Sequence, residues 1–216
     1  MSISEEGRAA SLPLIAGSLA LDFANTSSGR GGERHLDHLR GGADIVVWAC
    51  HAGLIDEQAG ERLRQKIAAG DEGFAGFLQD AVSLREAIHR IASAVAGRRQ
   101  PGEADLALLA ARCSAALAKA TIEMGVEGAR WRWPAEPLAE TILGPIALSA
   151  VGLLRDSDPA RLKQCAGEHC GWVFFDMTKN RSRRWCEMSV CGNRAKAKAH
   201  YRRSKSQAVE VVAAAP

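Results

Sequence analysis

The sequence has little that would suit a membrane span or an export signal. Its most hydrophobic segment, Pro137–Leu154, contains Glu140 and Pro145 and is shorter than the roughly 20 apolar residues that a spanning helix needs. The apolar stretch Leu12–Ala24 follows two glutamates rather than a basic start, and Asp22 interrupts it. We therefore expect an intracellular, cytoplasmic protein that makes no membrane contact.

Patterns typical of an enzyme are also missing. The run Gly29–Gly32 has the spacing of neither a P-loop nor a dinucleotide-binding fingerprint, and no nucleophile stands beside a general base. His35 and His38 have a spacing compatible with metal ligation on a helix. They lie in a Gly-rich segment without a nearby cysteine, so we expect an exposed pair instead. The sequence thus predicts a protein that is not an enzyme.

One weak candidate for a small-molecule site remains in the N-terminal part of the chain. Two short polar residues and two arginines follow each other closely there: Asp22, Asn25, Arg30 and Arg34. The alternative is a turn whose polar side chains cap the backbone, and we favour it because Asp and Asn readily bond to nearby main chain. An enzymatic body would have to use these residues.

The net charge of +3 conceals an uneven distribution. Residues 1–154 contain 15 lysines and arginines against 19 acidic residues, whereas residues 155–205 contain 13 against 5. A basic C-terminal third after a mildly acidic body is typical of a nucleic-acid-binding attachment on a separate domain. A solvated basic surface is the alternative, and charge alone does not decide between the two.

Four of the six cysteines predict a metal site. Cys165 and Cys170 are separated by four residues, as are Cys186 and Cys191, and fifteen residues lie between the pairs. In a reducing compartment such paired cysteines favour one tetrahedral zinc ion over disulfides. His169 could replace a ligand, but the symmetric four-cysteine set is preferred. Four thiolates leave no position for water, so the zinc should be structural.

Hydrophobic periodicity predicts an α+β protein with a mainly helical N-terminal domain over residues 12–154. We expect helices over about 44–53, 56–69, 71–97, 104–119 and 137–154, with Asp44 and Asp56 as N-caps. Residues 18–26 are expected to form a short strand or a buried turn. A small β-hairpin is predicted over 120–133, with Trp131 and Trp133 facing the core.

The second predicted domain, residues 160–205, has a treble-clef-like layout. Gly167 is expected at the tip of a first knuckle, and a strand over 172–176 is expected to pair with a return strand over 183–185. Gly192 suits a positive φ after the last cysteine. Asn193 is a good N-cap for the basic helix that follows.

These residues resemble a known family. The run RRWCEMSVCGNR over Arg183–Arg194 is similar to the CGNR zinc-finger family, and Cys165–Asp176 fits the same pattern. The motif over Leu19–Thr26 resembles ABATE, the domain usually joined to that finger, whose description is "putative stress-induced transcription regulator". The resemblance implies a bacterial intracellular protein with a helical regulatory domain and a finger that binds DNA.

We therefore expect a DNA-binding transcriptional regulator with one structural zinc ion. RNA as the partner, a homodimer, and a finger that docks on its own body or on another protein stay open. In that last case the basic helix should be covered. The expected phosphate contacts are basic residues of the finger: Arg181, Arg183, Arg184, Arg194, Lys196, Lys198, Arg202 and Arg203.

Overall fold

The computed structural model describes residues 8–30, 32–33, 35–126, 128–134 and 138–213, with side chains as far as residue 205. The helices are α1 (Leu19–Ala24), α2 (Gly42–His51), α3 (Glu57–Ala68), α4 (Phe77–Ala96), α5 (Glu103–Leu117), α6 (Ala139–Asp156) and α7 (Asn193–Ala213). The strands form three antiparallel pairs: β1 (Ser27–Ser28) with β2 (Leu36–Asp37), β3 (Thr121–Gly125) with β4 (Gly128–Arg132), and β5 (Leu162–Gln164) with β6 (Val173–Phe175).

This architecture confirms the predicted α+β class. Helices α1–α6 and the hairpin β3–β4 form a body, whereas β5, β6 and α7 surround four clustered cysteines in a treble-clef-like finger. The predicted limits of two separate domains, 12–154 and 160–205, stay a prediction. None of the described helices combines the length and the apolar composition that crossing a bilayer requires.

Helix α4 lies at the centre of the body. It packs against α1, α2, α5 and α6, and also against β5 and β6 of the finger. Its apolar residues recur at three- and four-residue steps, which places them on one buried face: Phe77, Ala81, Leu84, Ile88 and Ile91. Arg85 is 2% exposed, and its guanidinium binds both carboxylate oxygens of Asp37 at 2.6 Å. Helix α4 therefore fixes β2 as well as the finger.

The segment predicted as a strand or buried turn is the helix α1. Leu21 and Phe23 are both fully buried, and so are the alanines Ala20 and Ala24 on either side. Because every side of α1 touches protein, its sequence carries no amphipathic period, and alternation of large apolar residues could not distinguish helix from strand. The Phe23 and Trp48 rings lie 5.1 Å apart between α1 and α2.

The helix limits follow the prediction with shifts at three N-termini. Helix α6 begins at Ala139, and its predicted start, Pro137, lies outside the described residues. Asp56 caps α3 as predicted, accepting a hydrogen bond from the Ala59 amide at 2.7 Å. Helix α2 begins at Gly42, two residues before Asp44, whose carboxylate instead accepts from the Arg40 amide at 2.9 Å. The long pattern after Asp71 is divided into a short 3-10 turn and α4.

The hairpin β3–β4 forms as predicted, but one of its tryptophans is exposed. Ile122 pairs with Trp131, and these side chains are 65% and 45% exposed. Trp133, just beyond β4, lies against Gly144 of α6, where a Cβ would approach the indole ring to 2.6 Å. The expectation that both tryptophans face the core was therefore wrong for Trp131, since the hairpin projects away from the helices.

Candidate metal centre and basic helix

The four predicted ligand cysteines come together. Their sulfur atoms all lie within 4.8 Å of one another, with Cys170–Cys186 at 3.5 Å and Cys186–Cys191 at 3.6 Å. Four thiolates around one zinc ion at about 2.3 Å would lie about 3.8 Å apart. The residues present therefore fit a tetrahedral zinc ion, which when bound supplies a covalent-like crosslink between the two knuckles.

The first knuckle closes tightly around Gly167. The Cys170 amide donates to the Gly167 carbonyl at 3.1 Å, and the Gly167 amide points to the Cys165 sulfur at 3.4 Å. A Cβ on Gly167 would lie 3.3 Å from the Cys191 sulfur. Gly171 has φ +71°, a conformation that favours glycine, and it reverses the chain into β6.

The second knuckle differs from the prediction around Gly192. A π-helical turn, Met188–Gly192, runs directly into α7, and Gly192 is not among the glycines with positive φ. Asn193 is therefore the first residue of α7 instead of its N-cap, and its side-chain amide donates to the Ser189 carbonyl at 3.1 Å. A Cβ on Gly192 would meet the Met188 side chain, which is flexible and half-exposed and would have to move aside.

Strand β6 has a different partner from the one expected. It pairs with β5, so that Gln164 faces Val173 and Leu162 faces Phe175. The predicted return strand over 183–185 is absent from the described finger. Residues 183–185 instead form no strand ladder. The Arg184 carbonyl accepts one hydrogen bond from the first knuckle, donated by the Ala166 amide at 3.0 Å.

A buried carboxylate holds the return segment in place. Asp176 is completely buried and accepts from the Lys163 ammonium at 2.7 Å, the Thr178 amide at 2.9 Å and the Arg183 amide at 2.9 Å. Burial alone would raise the pKa of Asp176, but these hydrogen bonds outweigh burial and hold it far below its usual range. Asp176 thus stays ionised and fixes the turn before Cys186.

Arg183 contributes several contacts to this cluster. Its guanidinium lies 4.3 Å from the centre of the Phe174 ring. It donates to the carbonyls of Trp185 at 3.1 Å, Ile15 at 3.1 Å and Cys186. These bonds use Nε and Nη2, so Arg183 has a structural role here, and its assignment as a nucleic-acid contact stays a prediction.

The finger is hydrogen-bonded to the body at several points. The Asn25 side chain donates to the Val173 carbonyl at 2.9 Å and accepts from the Val173 amide at 3.0 Å. The His89 ring lies 2.7 Å from the Gly171 carbonyl, and the Phe175 amide donates to the Ala16 carbonyl at 2.7 Å. Leu162, Val173 and Phe174 belong to the same hydrophobic core as α1 and α4. The body and the finger therefore share one interior.

The residues of the weak small-molecule candidate make protein contacts in this region. Asp22 accepts from the Ala16 amide at 2.9 Å, and burial raises its pKa to about 6. Arg30 forms an ion pair with Glu86 of α4. Asn25 binds Val173, so three of the four candidate residues join one part of the chain to another. The fourth, Arg34, lies outside the described residues. A ligand site at these positions stays a prediction.

The other basic residues that were predicted as phosphate contacts are exposed. Arg181 pairs with Asp158 at 2.9 Å, and Arg184 lies over the Trp185 ring. The rest, together with Lys205, line the first three turns of α7, which contain no acidic residue: Arg194, Lys196, Lys198, Arg202 and Arg203. Lys198 pairs with Glu168 of the first knuckle. Spacing by four residues places Arg194, Lys198 and Arg202 on one side of the helix.

Several residues that shape the centre had no signal in the sequence. His89 and Lys163 were not singled out, and His38 was expected to be exposed but is only 7% exposed. His89 is separated from its partner Gly171 by 82 residues. A contact over such a distance leaves no local pattern, so a single sequence could not indicate it.

Two family models match the chain. Residues 17–157 match ABATE, described as "Putative stress-induced transcription regulator", and residues 161–204 match the CGNR zinc finger. Neither description names an enzymatic activity. No curated protein matches the chain.

The two matches meet between α6 and β5 and confirm the resemblance seen in the sequence. The gathered cysteines and the finger match together identify the cofactor as one structural zinc ion. The chain therefore belongs to the ABATE family and carries a C-terminal CGNR zinc finger.

Proposed function

We propose that the protein is a cytoplasmic transcriptional regulator whose zinc finger binds DNA through the first turns of α7. The observation that carries this proposal is the run of exposed cations along a helix whose start is fixed to a metal centre. Six basic side chains and no acidic one lie within residues 193–205. Phosphates of a nucleic acid are the ligands that such a surface suits best.

The ion pair on this helix does not argue against the proposal. Lys198 and Glu168 are 46% and 57% exposed, and surface pairs of this kind contribute only about 0–1 kcal/mol. A phosphate can therefore displace Glu168 at small cost. The exposure of α7 also disfavours the alternative in which the finger buries its basic helix against its own body.

DNA is favoured over RNA because α7 is a regular helix that fits the width of a DNA major groove. Arginines on such a helix reach phosphates and guanine edges alike. Of the three aromatic side chains of the finger that suit base stacking, Trp172 and Trp185 pack against the protein core, whereas Tyr201 on α7 is exposed. A single exposed ring is a small stacking platform for single-stranded RNA, so RNA is the less favoured partner, and a homodimer stays a prediction.

The test is binding of the zinc-loaded protein to a fluorescent random-sequence duplex across a salt series. With about six phosphate contacts, the affinity should fall about a thousandfold between 50 and 200 mM salt. Replacing Arg194, Lys198 and Arg202 with glutamine should abolish binding and flatten the salt dependence.

The matched control replaces three exposed arginines of the body, Arg62, Arg98 and Arg99, with glutamine. It changes the net charge equally and should leave most of the binding intact. Equal loss in both triple variants, or no salt-dependent binding by the wild-type protein, would contradict the proposal. A single-stranded RNA of the same length tests the alternative partner.

A further inference from the structure

A cavity of about 910 Å³ lies between the body and the finger. The body contributes Arg8 of the 3-10 turn Arg8–Ser11, the following Leu12, Ser28 at the end of β1 and His38 just after β2. The finger contributes Trp172 and the start of α7 at Arg194. The cavity has the size of a small-molecule site, and it meets the basic face of α7 at Arg194.

A chain of polar groups crosses the wall of this cavity. The Trp172 indole N–H donates to the Ser28 hydroxyl at 3.3 Å, and that hydroxyl lies 3.1 Å from His38 Nε2. His38 is 93% buried, being 7% exposed. Its Nδ1 has no hydrogen-bond partner among the described residues. A buried ring with one uncommitted nitrogen at a cavity wall is suited to bind a polar group of a ligand.

The charged residues around the cavity differ in whether they have partners within the protein. Arg8 and Arg194 both line it, and neither has an ion pair within the described part of the chain. Burial, and after it the charge of Arg8, lower the pKa of His38, which places that guanidinium within electrostatic reach of the ring. Two acidic residues also line the cavity: Glu187, which accepts from the Ser189 hydroxyl, and Glu33, to which none of the described residues donates a side-chain hydrogen bond.

Apolar groups form part of the remaining wall, which also contains His169. Leu12 and Pro13 come from the body, and Trp172 and Val190 from the finger. A ligand without an apolar part would leave this surface exposed to water, whereas a ligand without an anionic group would leave Arg8 and His38 Nδ1 unused. The cavity therefore combines apolar walls with a few convergent polar donors, as small-molecule sites do.

We propose that this cavity binds a small amphipathic organic carboxylate, with the carboxylate at Arg8 and His38 and the apolar part against Leu12 and Trp172. The bound molecule would touch the body and the finger at the same time. It would also lie beside the side of the metal centre formed by Cys170, Cys186 and Cys191, and beside Arg194 at the start of α7. The site thus provides a route by which a ligand can act on the finger.

The test is isothermal titration of the full-length, zinc-loaded protein with 1-naphthoate and with the uncharged 1-naphthalenemethanol. We expect 1:1 binding of the naphthoate, and at least about tenfold weaker binding of the alcohol, which cannot form the charged hydrogen bond. Arg8→Gln should weaken naphthoate by at least about tenfold for the same reason. Arg62→Gln, an exposed arginine on α3, is the matched control and should bind as the wild type does.

A second variant tests the location without removing a polar group. Val190 is 47% exposed at the cavity wall, so Val190→Trp can fill the cavity without disturbing the core. It should abolish naphthoate binding while circular dichroism and zinc content stay unchanged. The proposal is overturned if naphthoate does not bind at millimolar concentration, if the alcohol binds equally well, or if Arg8→Gln and Val190→Trp bind normally. None of these readouts uses DNA, so the outcome is independent of the proposed function.

Discussion

Asn25 joins the body to the finger through both ends of its side-chain amide. It is 3% exposed, and its two hydrogen bonds to Val173 replace one step of a β-ladder. We expect Asn25→Ala to lower the free energy of unfolding by about 2–4 kcal/mol, because it leaves both main-chain groups of Val173 buried without partners. Urea denaturation measures this. The control Asn180→Ala, in an exposed turn, should change stability by less than about 0.5 kcal/mol.

Asp22 predicts a specific pH dependence of stability. Its pKa is raised to about 6 in the folded protein, mainly by burial, so the folded state binds the Asp22 proton more tightly than the unfolded state does. The resulting cost is fully present above about pH 6 and disappears below the unfolded pKa of 3.8. Asp22→Asn keeps an oxygen for the Ala16 amide. It should therefore stabilise the protein by about 1–2 kcal/mol at pH 7, after allowing for solvent screening of a half-buried group.

The measurement is thermal or urea unfolding of both proteins between pH 4 and pH 7.5. The stabilisation by Asp22→Asn should shrink toward zero near pH 4. Glu72→Gln, at an exposed position, is the control and should show no such trend. A constant difference across the range would show that the Asp22 carboxylate is not the group responsible.

At the scale of elements, the hairpin β3–β4 differs from the helices of the body in how much of it is exposed to solvent. Its pairing puts Glu123 and Arg130 on one face, joined by an ion pair at 3.0 Å, and Ile122 and Trp131 on the other. Both faces are open to solvent in the described structure. The hairpin therefore adds little apolar burial to the body.

The exposure of the hairpin can be tested by comparing the stability loss on truncating an isoleucine of the hairpin with that on truncating a buried one. Ile122→Ala, on the hairpin, should change the free energy of unfolding by less than about 0.5 kcal/mol. Ile146→Ala, at a fully buried position of α6, should cost about 2–5 kcal/mol because it leaves a cavity in the core. Chemical denaturation of both variants measures the contrast. A large loss for Ile122→Ala would mean that the hairpin packs on protein in solution.

At the scale of the whole molecule, the shared core couples the zinc centre to the body. The apolar side chains of Leu162, Val173 and Phe174 are buried against α1 and α4. The metal centre helps to hold the strands that carry these side chains in place. Zinc binding in fingers contributes about 10–16 kcal/mol of apparent folding free energy. Loss of the metal should therefore affect the body as well as the finger.

We accordingly expect Cys186→Ser to lower zinc content and to lower the unfolding temperature of the whole chain. Hydrogen exchange should become faster in α1 and in the part of α4 that contacts β5, as well as in the finger. The control is Cys50→Ser, since Cys50 lies on α2 away from the metal centre. Unchanged exchange in α1 and α4 would instead show that the body folds independently of the finger.

The sequence by itself determined the features that depend on neighbours in the chain. The ligand quartet follows from the two Cys-x4-Cys pairs, and the Asp56 cap follows from a short polar residue before an amphipathic run. The long apolar period that predicts α4 is equally local. Such features need only a few adjacent residues, because knuckles, caps and helical faces form within one or two turns of backbone.

Only the tertiary structure decided what depends on residues far apart in the chain. Whether residues 19–24 form a helix, which strand pairs with β6, and which backbone carbonyls Arg183 binds all depend on contacts between residues distant in the chain. Residues such as Ser28 and Trp172, separated by 144 positions, meet only after folding. Burial on all sides removes the local period, and long-range hydrogen bonds leave no pattern in the sequence, so these choices belong to the folded molecule.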